Sequence, residues 1–161
     1  MTAHRRRHPS PPLPAAATWP VVSARLMRAL RPRVGRMAAT LARRFTALGL
    51  VCDVRGMATS RGWATVLSLE NAQGLQGLID LTLLDGPAVG LGPCVALDIR
   101  LVDACGEVVA DGLARHGLGR AFNDGGPPPR WRDDEVARSL TTVLVMAVAF
   151  FDLLQPQERC G

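Results

Sequence analysis

The side chains that could do chemistry in this chain are few and far apart. His116 follows Asp111 by five residues, and Cys94 and Cys105 could each supply a thiol. A thiol–imidazole pair works only when nucleophile and base lie within hydrogen-bond reach and a third group orients the base. No spacing here sets that up, so His116 is expected to be a strand-end surface histidine. Asp98, Asp103 and Asp111 lie close enough in sequence to suggest paired carboxylates for acid–base or metal work. Asp98 alternates with Arg100 along an extended run, which reads as a solvent-side strand face. Asp103 stands just before a turn, where Asp bonds locally to backbone. His4 and His8 lie among arginines and make poor ligands.

Phosphate cradles are not indicated either. The runs Gly117-Leu118-Gly119-Arg120 and Gly125-Gly126-Pro127 lack the spacing of a P-loop, and no G-x-G-x-x-G opens a helix. The four cysteines, Cys52, Cys94, Cys105 and Cys160, form no C-x-x-C and no zinc-type cluster with histidine. If Cys94 and Cys105 bracket one extended strand, roughly 3.3 Å per residue separates them by about 30 Å, outside disulfide reach. No cofactor and no metal are expected, and the cysteines should be reduced, as in a cytoplasmic protein.

Charge is distributed unevenly. All nineteen basic residues are arginine, with no lysine, which reads as codon bias of a GC-rich, bacterial genome and weakens any inference from a single Arg. Residues 1–52 hold ten of them (Arg5, Arg6, Arg7, Arg25, Arg28, Arg31, Arg33, Arg36, Arg43 and Arg44) and no acid. The remaining nine face all fourteen acids. A basic arm on a mildly acidic body suits a polyanion, an anionic membrane surface or another protein. Sequence-specific nucleic-acid recognition is not indicated, because aromatics for base stacking are scarce and no helix-turn-helix, RRM or finger pattern occurs.

Apolar residues make up 48% and charged residues 20% of the 161, enough for one packed domain. The prolines between Met1 and Pro20 mark a disordered tail over residues 1–22, before a single domain over 23–154 and a short tail over 155–161. Ser23 is expected to cap a short helix, Ala24 to Leu30, that Pro32 interrupts. Val34, Met37, Leu41, Phe45 and Leu48 then form the apolar stripe of a basic amphipathic helix stopped by Gly49. Five strands follow, at Leu50 to Met57, Trp63 to Glu70, Gly77 to Asp85, Val95 to Asp103 and Glu107 to His116. In the third and fourth, Ile79, Leu81, Leu83, Val95, Leu97, Ile99 and Leu101 face inward, alternating with polar residues. A Gly/Pro-rich loop spans 117–131.

Asp133, Asp134 and Glu135 open the last helix, where the helix dipole favours acids. Its stripe of Val136, Leu140, Val143, Leu144, Ala147 and Phe151 is matched by a second apolar side with Val145, Met146, Val148, Ala149 and Leu153. The longest apolar run, Val143 to Phe151, is too short to span a bilayer. The fold expected is α+β: an N-terminal helix, a five-stranded, mainly antiparallel meander and a C-terminal helix, with both helices on one sheet face. This outline, with its Val102-Asp103-x-x-Gly106-Glu107-Val108-Val109-Ala110 hairpin, resembles small accessory and chaperone-like domains of bacterial secretion or envelope systems.

Because one sheet can absorb only one side of the last helix, the leading expectation is a non-enzymatic binding or assembly domain. It would associate through that helix, as a homodimer or with a protein partner, at Val145, Met146, Val148, Ala149 and Leu153. The alternatives are sequence-independent nucleic-acid binding through the ten N-terminal arginines, and a small enzyme with a site near the 94–116 hairpin.

Overall fold

The computed structural model describes residues 19–91, 94–116 and 133–153. The expected tail over 1–18, with Arg5, Arg6 and Arg7, lies outside the described residues. So do the loop 117–131, the segment after Leu153 and the side chains of His116, Asp133 and Asp134.

Helix α1 runs unbroken from Trp19 to Ala47. Its buried positions, Trp19, Ser23, Leu26, Met27, Leu30, Val34, Ala38, Leu41 and Phe45, recur at spacings of three and four, which places them on one side of a 3.6-residue repeat. The break expected at Pro32 does not occur. An internal proline removes one hydrogen bond and crowds the carbonyl four residues back, at a cost of about 3 kcal/mol. Here Pro32 faces solvent, where water can take the freed carbonyl of Arg28. Leu26, Leu30 and Val34 are fully buried on either side of it, and each contributes about 1.5–3 kcal/mol that only a continuous helix can collect. The helix also starts before Ser23. The Ser23 hydroxyl and the Trp19 indole N–H both donate to one carboxylate oxygen of Asp85, at 3.0 and 2.8 Å. Ser23 is thus an interior anchor and not a cap, and residues 19–22 belong to α1.

The helix ends as the Gly49 signal implies. Gly49 adopts φ 93°, its N–H donates to Thr46 C=O, and the Leu50 N–H reaches back to Phe45 C=O. This αL turn rotates the chain, so Leu50 is buried and Leu48, expected in the core stripe, is exposed.

Five strands follow in the expected order: β1 (Val51–Thr59), β2 (Gly62–Glu70), β3 (Gln76–Asp85), β4 (Val95–Asp103) and β5 (Val108–His116). Each pairs antiparallel with the next, giving a meander of spatial order β1-β2-β3-β4-β5. The β1–β2 link is tighter than the five residues expected, since Thr59 pairs with Gly62 across Ser60-Arg61 alone. Local side-chain bonds shape the other turns. Asn71 Oδ1 accepts from the Gln73 and Leu75 N–H groups, and Asp103 Oδ1 accepts from those of Cys105 and Glu107.

The period-2 pattern sorts the sheet into two faces. The expected inward set, Ile79, Leu81, Leu83, Val95, Leu97, Ile99 and Leu101, is fully buried. Helix α2 (Asp133–Phe150) packs on that same face over β4 and β5, while α1 covers β1 to β3. Glycines let α2 settle closely. A Cβ on Gly112 would sit 2.7 Å from Ser139 Cβ, and one on Gly77 would sit 2.9 Å from the Phe151 ring. Trp63 lies against Gly56 of β1 in a similar way, and the Arg31 guanidinium stacks over the Trp63 ring, 4.3 Å from its centre.

Candidate functional site

Of the residues that the sequence offers for catalysis, the two thiols stand apart from each other, and the side chain of His116 lies outside the described residues. Cys105 lies exposed in the β4–β5 turn, and Cys94 is half-buried just before β4. Burial pushes the Cys94 thiol above its ordinary value; Arg115 partly offsets that and Asp85 adds to it. A raised thiol is a poor nucleophile near neutral pH. Cys52 is also raised by burial, against a hydrogen bond with Thr46.

Asp98 and Asp111 do come together, on the open face of the sheet, and sequence reasoning missed their third neighbour, Asp80. Asp80, Arg100 and Asp111 occupy one cross-strand row, with Thr82 and Asp98 in the next. Asp98 is more enclosed than a solvent-side strand residue should be, with its side chain only 12% exposed. Burial raises its carboxyl above the usual range; Arg100 lowers it, and Asp80 and Asp111 raise it further. Arg100 Nε lies 2.7 Å from Asp98 Oδ2 as an ion pair. The Thr82 hydroxyl donates to Asp80 at 2.5 Å. Arg100 pairs with Asp98 and stands in the cross-strand row between Asp80 and Asp111, so one cation faces three carboxyl groups. Asp103 is spent on its turn. Among the described residues no group of His, Cys, Asp and Glu is placed to hold a metal ion.

Two shallow depressions are lined by described residues. One, of about 340 Å³, lies at the strand ends beside Val51, Asp53, Glu70, Gln76 and Leu78. The other, of about 390 Å³, lies between β5 and α2 beside Arg115, Glu135, Arg138 and Ser139. Their described linings bring no Cys or His to a carboxylate.

The arginines of α1 have varied surroundings. Arg25, Arg36 and Arg43, eleven and seven residues apart, fall in line opposite the buried stripe and are exposed. Arg28, Arg31 and Arg44 are exposed as well, and Arg33 is half-buried. Arg31 is engaged with Trp63, and Arg43 donates to the Thr40 hydroxyl at 3.2 Å. Trp19, at the start of α1, is itself buried.

Among the described residues the outer side of α2 is open, with an apolar stretch beyond Thr141 and Thr142. Its inner side buries Val136, Val143, Ala147 and Phe151, with Leu140 and Leu144 partly covered. Of the five residues expected at an interface, Val145 is 62% exposed, Met146 is 40% exposed and Ala149 is exposed. Val148 is half-buried, and Leu153 packs against the core. Helix α1 lies over the other strands, and among the described residues nothing covers this side of α2. No helix is long and apolar enough to cross a membrane among the described residues.

Compared with known proteins, the chain matches no family model, no curated protein and no solved structure.

Proposed function

We propose that this chain is a protein-interaction domain without catalysis of its own, which receives an apolar, uncharged surface of a second protein chain on the outer side of α2. The observation that carries the reading is the exposure of Val145, Met146 and Ala149 on a helix whose opposite side is already spent on the sheet. No charged residue stands between Arg138 and Asp152. Interface centres are depleted of charge in the same way, and contiguous exposed apolar patches mark association surfaces. The raised thiol of Cys94 and the place of Cys105 in an exposed turn favour a binding role over an enzymatic one.

Met146→Asp tests it. A carboxylate at this exposed position should leave the circular dichroism and thermal midpoint unchanged while weakening association at least about tenfold, since a buried unpaired charge is costly at an interface. Sedimentation of the full chain reads the effect. A wild type that stays monomeric at high micromolar concentration, with a Met146→Asp variant that unfolds, would show this side of α2 to be ordinary core.

The row of Arg25, Arg36 and Arg43 supports a second reading, sequence-independent binding of nucleic acid along α1. Replacing all three by Gln should then abolish salt-sensitive retention on DNA at low salt. Equal retention by the variant would remove the reading.

A further inference from the structure

The hydrogen-bond alternation of the meander settles which backbone groups of β1 point away from the sheet. The Asn71 N–H donates to Leu75 C=O, so the odd-numbered residues of β2 bond to β3 and its even-numbered residues bond to β1. The register Thr59↔Gly62 through Val51↔Glu70 then ties the odd-numbered residues of β1 to β2. Cys52, Val54, Gly56 and Ala58 therefore aim their N–H and C=O groups outward. Among the described residues no side chain or backbone group bonds to them from outside.

Among the described residues this edge lacks the usual protections. Natural edge strands are kept short, or carry proline, bulges or repelling charge. Strand β1 is nine residues long, contains no proline and pairs with β2 without a bulge. Val51 is 73% exposed and Met57 is 45% exposed, and Val54 is exposed too. The only charges on the strand are Asp53 and Arg55, of opposite sign, two residues apart on one face. In the free chain they pair with each other, Arg55 Nε to Asp53 Oδ2 at 2.7 Å, with both side chains more than half exposed.

These residues are complementary to themselves. We infer that β1 pairs antiparallel with β1 of a second copy of this chain, centred on Val54, to make one continuous ten-stranded sheet across a twofold axis. In that register Val54 faces the partner's Val54 and Cys52 faces the partner's Gly56, all with outward backbone groups that can exchange hydrogen bonds. Asp53 then stands opposite the partner's Arg55, and Val51 opposite the partner's Met57, each pair occurring twice by symmetry. A slip of one step either way brings Asp53 against the partner's Asp53, or Arg55 against the partner's Arg55. Like charges directly opposite are unfavourable, so the charges select the register. The inference goes beyond the α2 reading and stands without it, since it uses the opposite edge of the sheet.

Charge exchange tests it on the full chain. Asp53→Arg and Arg55→Asp each place like charges opposite at two positions, and each should weaken self-association about tenfold or more in sedimentation. Mixed in equal amounts, the two variants become complementary at both positions and should form a heterodimer about as tight as the wild-type dimer. The double variant Asp53→Arg/Arg55→Asp should recover self-association as well. Both side chains are exposed, so the circular dichroism of every variant should match the wild type. The inference is overturned if the wild type is monomeric at high micromolar concentration, or if mixing the single variants restores nothing. It is also overturned if both single variants dimerise like the wild type. In that last case a loss of association in Met146→Asp would leave the α2 reading intact and place the contact there.

Discussion

The sheet has two edges, built from strands of the same length, and the chain treats them differently. At β5 the outward groups belong to the odd-numbered residues, by the same alternation that fixes β1. Helix α2 supplies partners for two of them. The Ser139 hydroxyl donates to Leu113 C=O at 3.2 Å, and Glu135 accepts from the Arg115 N–H at 3.0 Å. Gly112, lacking a Cβ, lets the helix come close enough for both contacts. At β1 the helix on the same face ends in a Schellman turn that feeds directly into the strand, and no described side chain reaches the edge groups. One edge is bonded by side chains of a helix that follows it in sequence. Among the described residues the other is left unbonded, and the inferred pairing of β1 rests on that contrast.

The comparison can be broken most forcefully at Gly112. Its Cβ would lie 2.7 Å from Ser139 Cβ and 2.8 Å from Ser139 Cα, and the backbone of α2 cannot yield as a flexible side-chain tip could. Gly112→Val should lift α2 from β5 and cost about 1–3 kcal/mol of stability in urea unfolding, typical of overpacking. Its larger consequence is that β5 becomes a second free edge, so the variant should aggregate on partial unfolding. A Gly112→Val protein as stable as the wild type would mean that α2 does not close this edge.

Ser139→Ala is the smaller counterpart. It removes the donor to Leu113 C=O while keeping the helix in place, and should cost about 1 kcal/mol, the ordinary net worth of such a bond. Hydrogen exchange on the β5 amides should accelerate modestly, while the β1 amides stay unchanged. An equal acceleration at both edges would show that Ser139 acts on global stability and not on one edge.

Much of the fold was legible because it rests on local periodicities. The alternation in Ile79–Leu83 and Val95–Leu101 identifies the inward face, and all of those apolar residues are buried. The Asp103 turn and the Gly49 stop were legible for a similar reason, since a single residue type does the work there. The reading failed where tertiary packing outweighed a local rule. Pro32 is a helix breaker in isolation, yet Leu26, Leu30 and Val34 bury enough surface to carry α1 through it. Trp19 and Ser23 looked like tail and cap, because nothing local announces that both will bond to Asp85, more than sixty residues away.

The functional surfaces divide along the same line. The sequence determined by itself that the last helix has two apolar sides, that the first fifty-two residues carry no acid and that β1 holds one residue of each charge. These are properties of order and type, and periodicity is enough to read them. Tertiary structure alone decided that β1 lies at an edge, that its even-numbered residues face outward and that Asp53 and Arg55 share the open face. It also decided that α2 spends its Ser139 and Glu135 on β5 and keeps Val145 and Met146 in solvent. Strand order and helix placement depend on contacts between distant segments, and a residue's own neighbours in sequence carry no record of them.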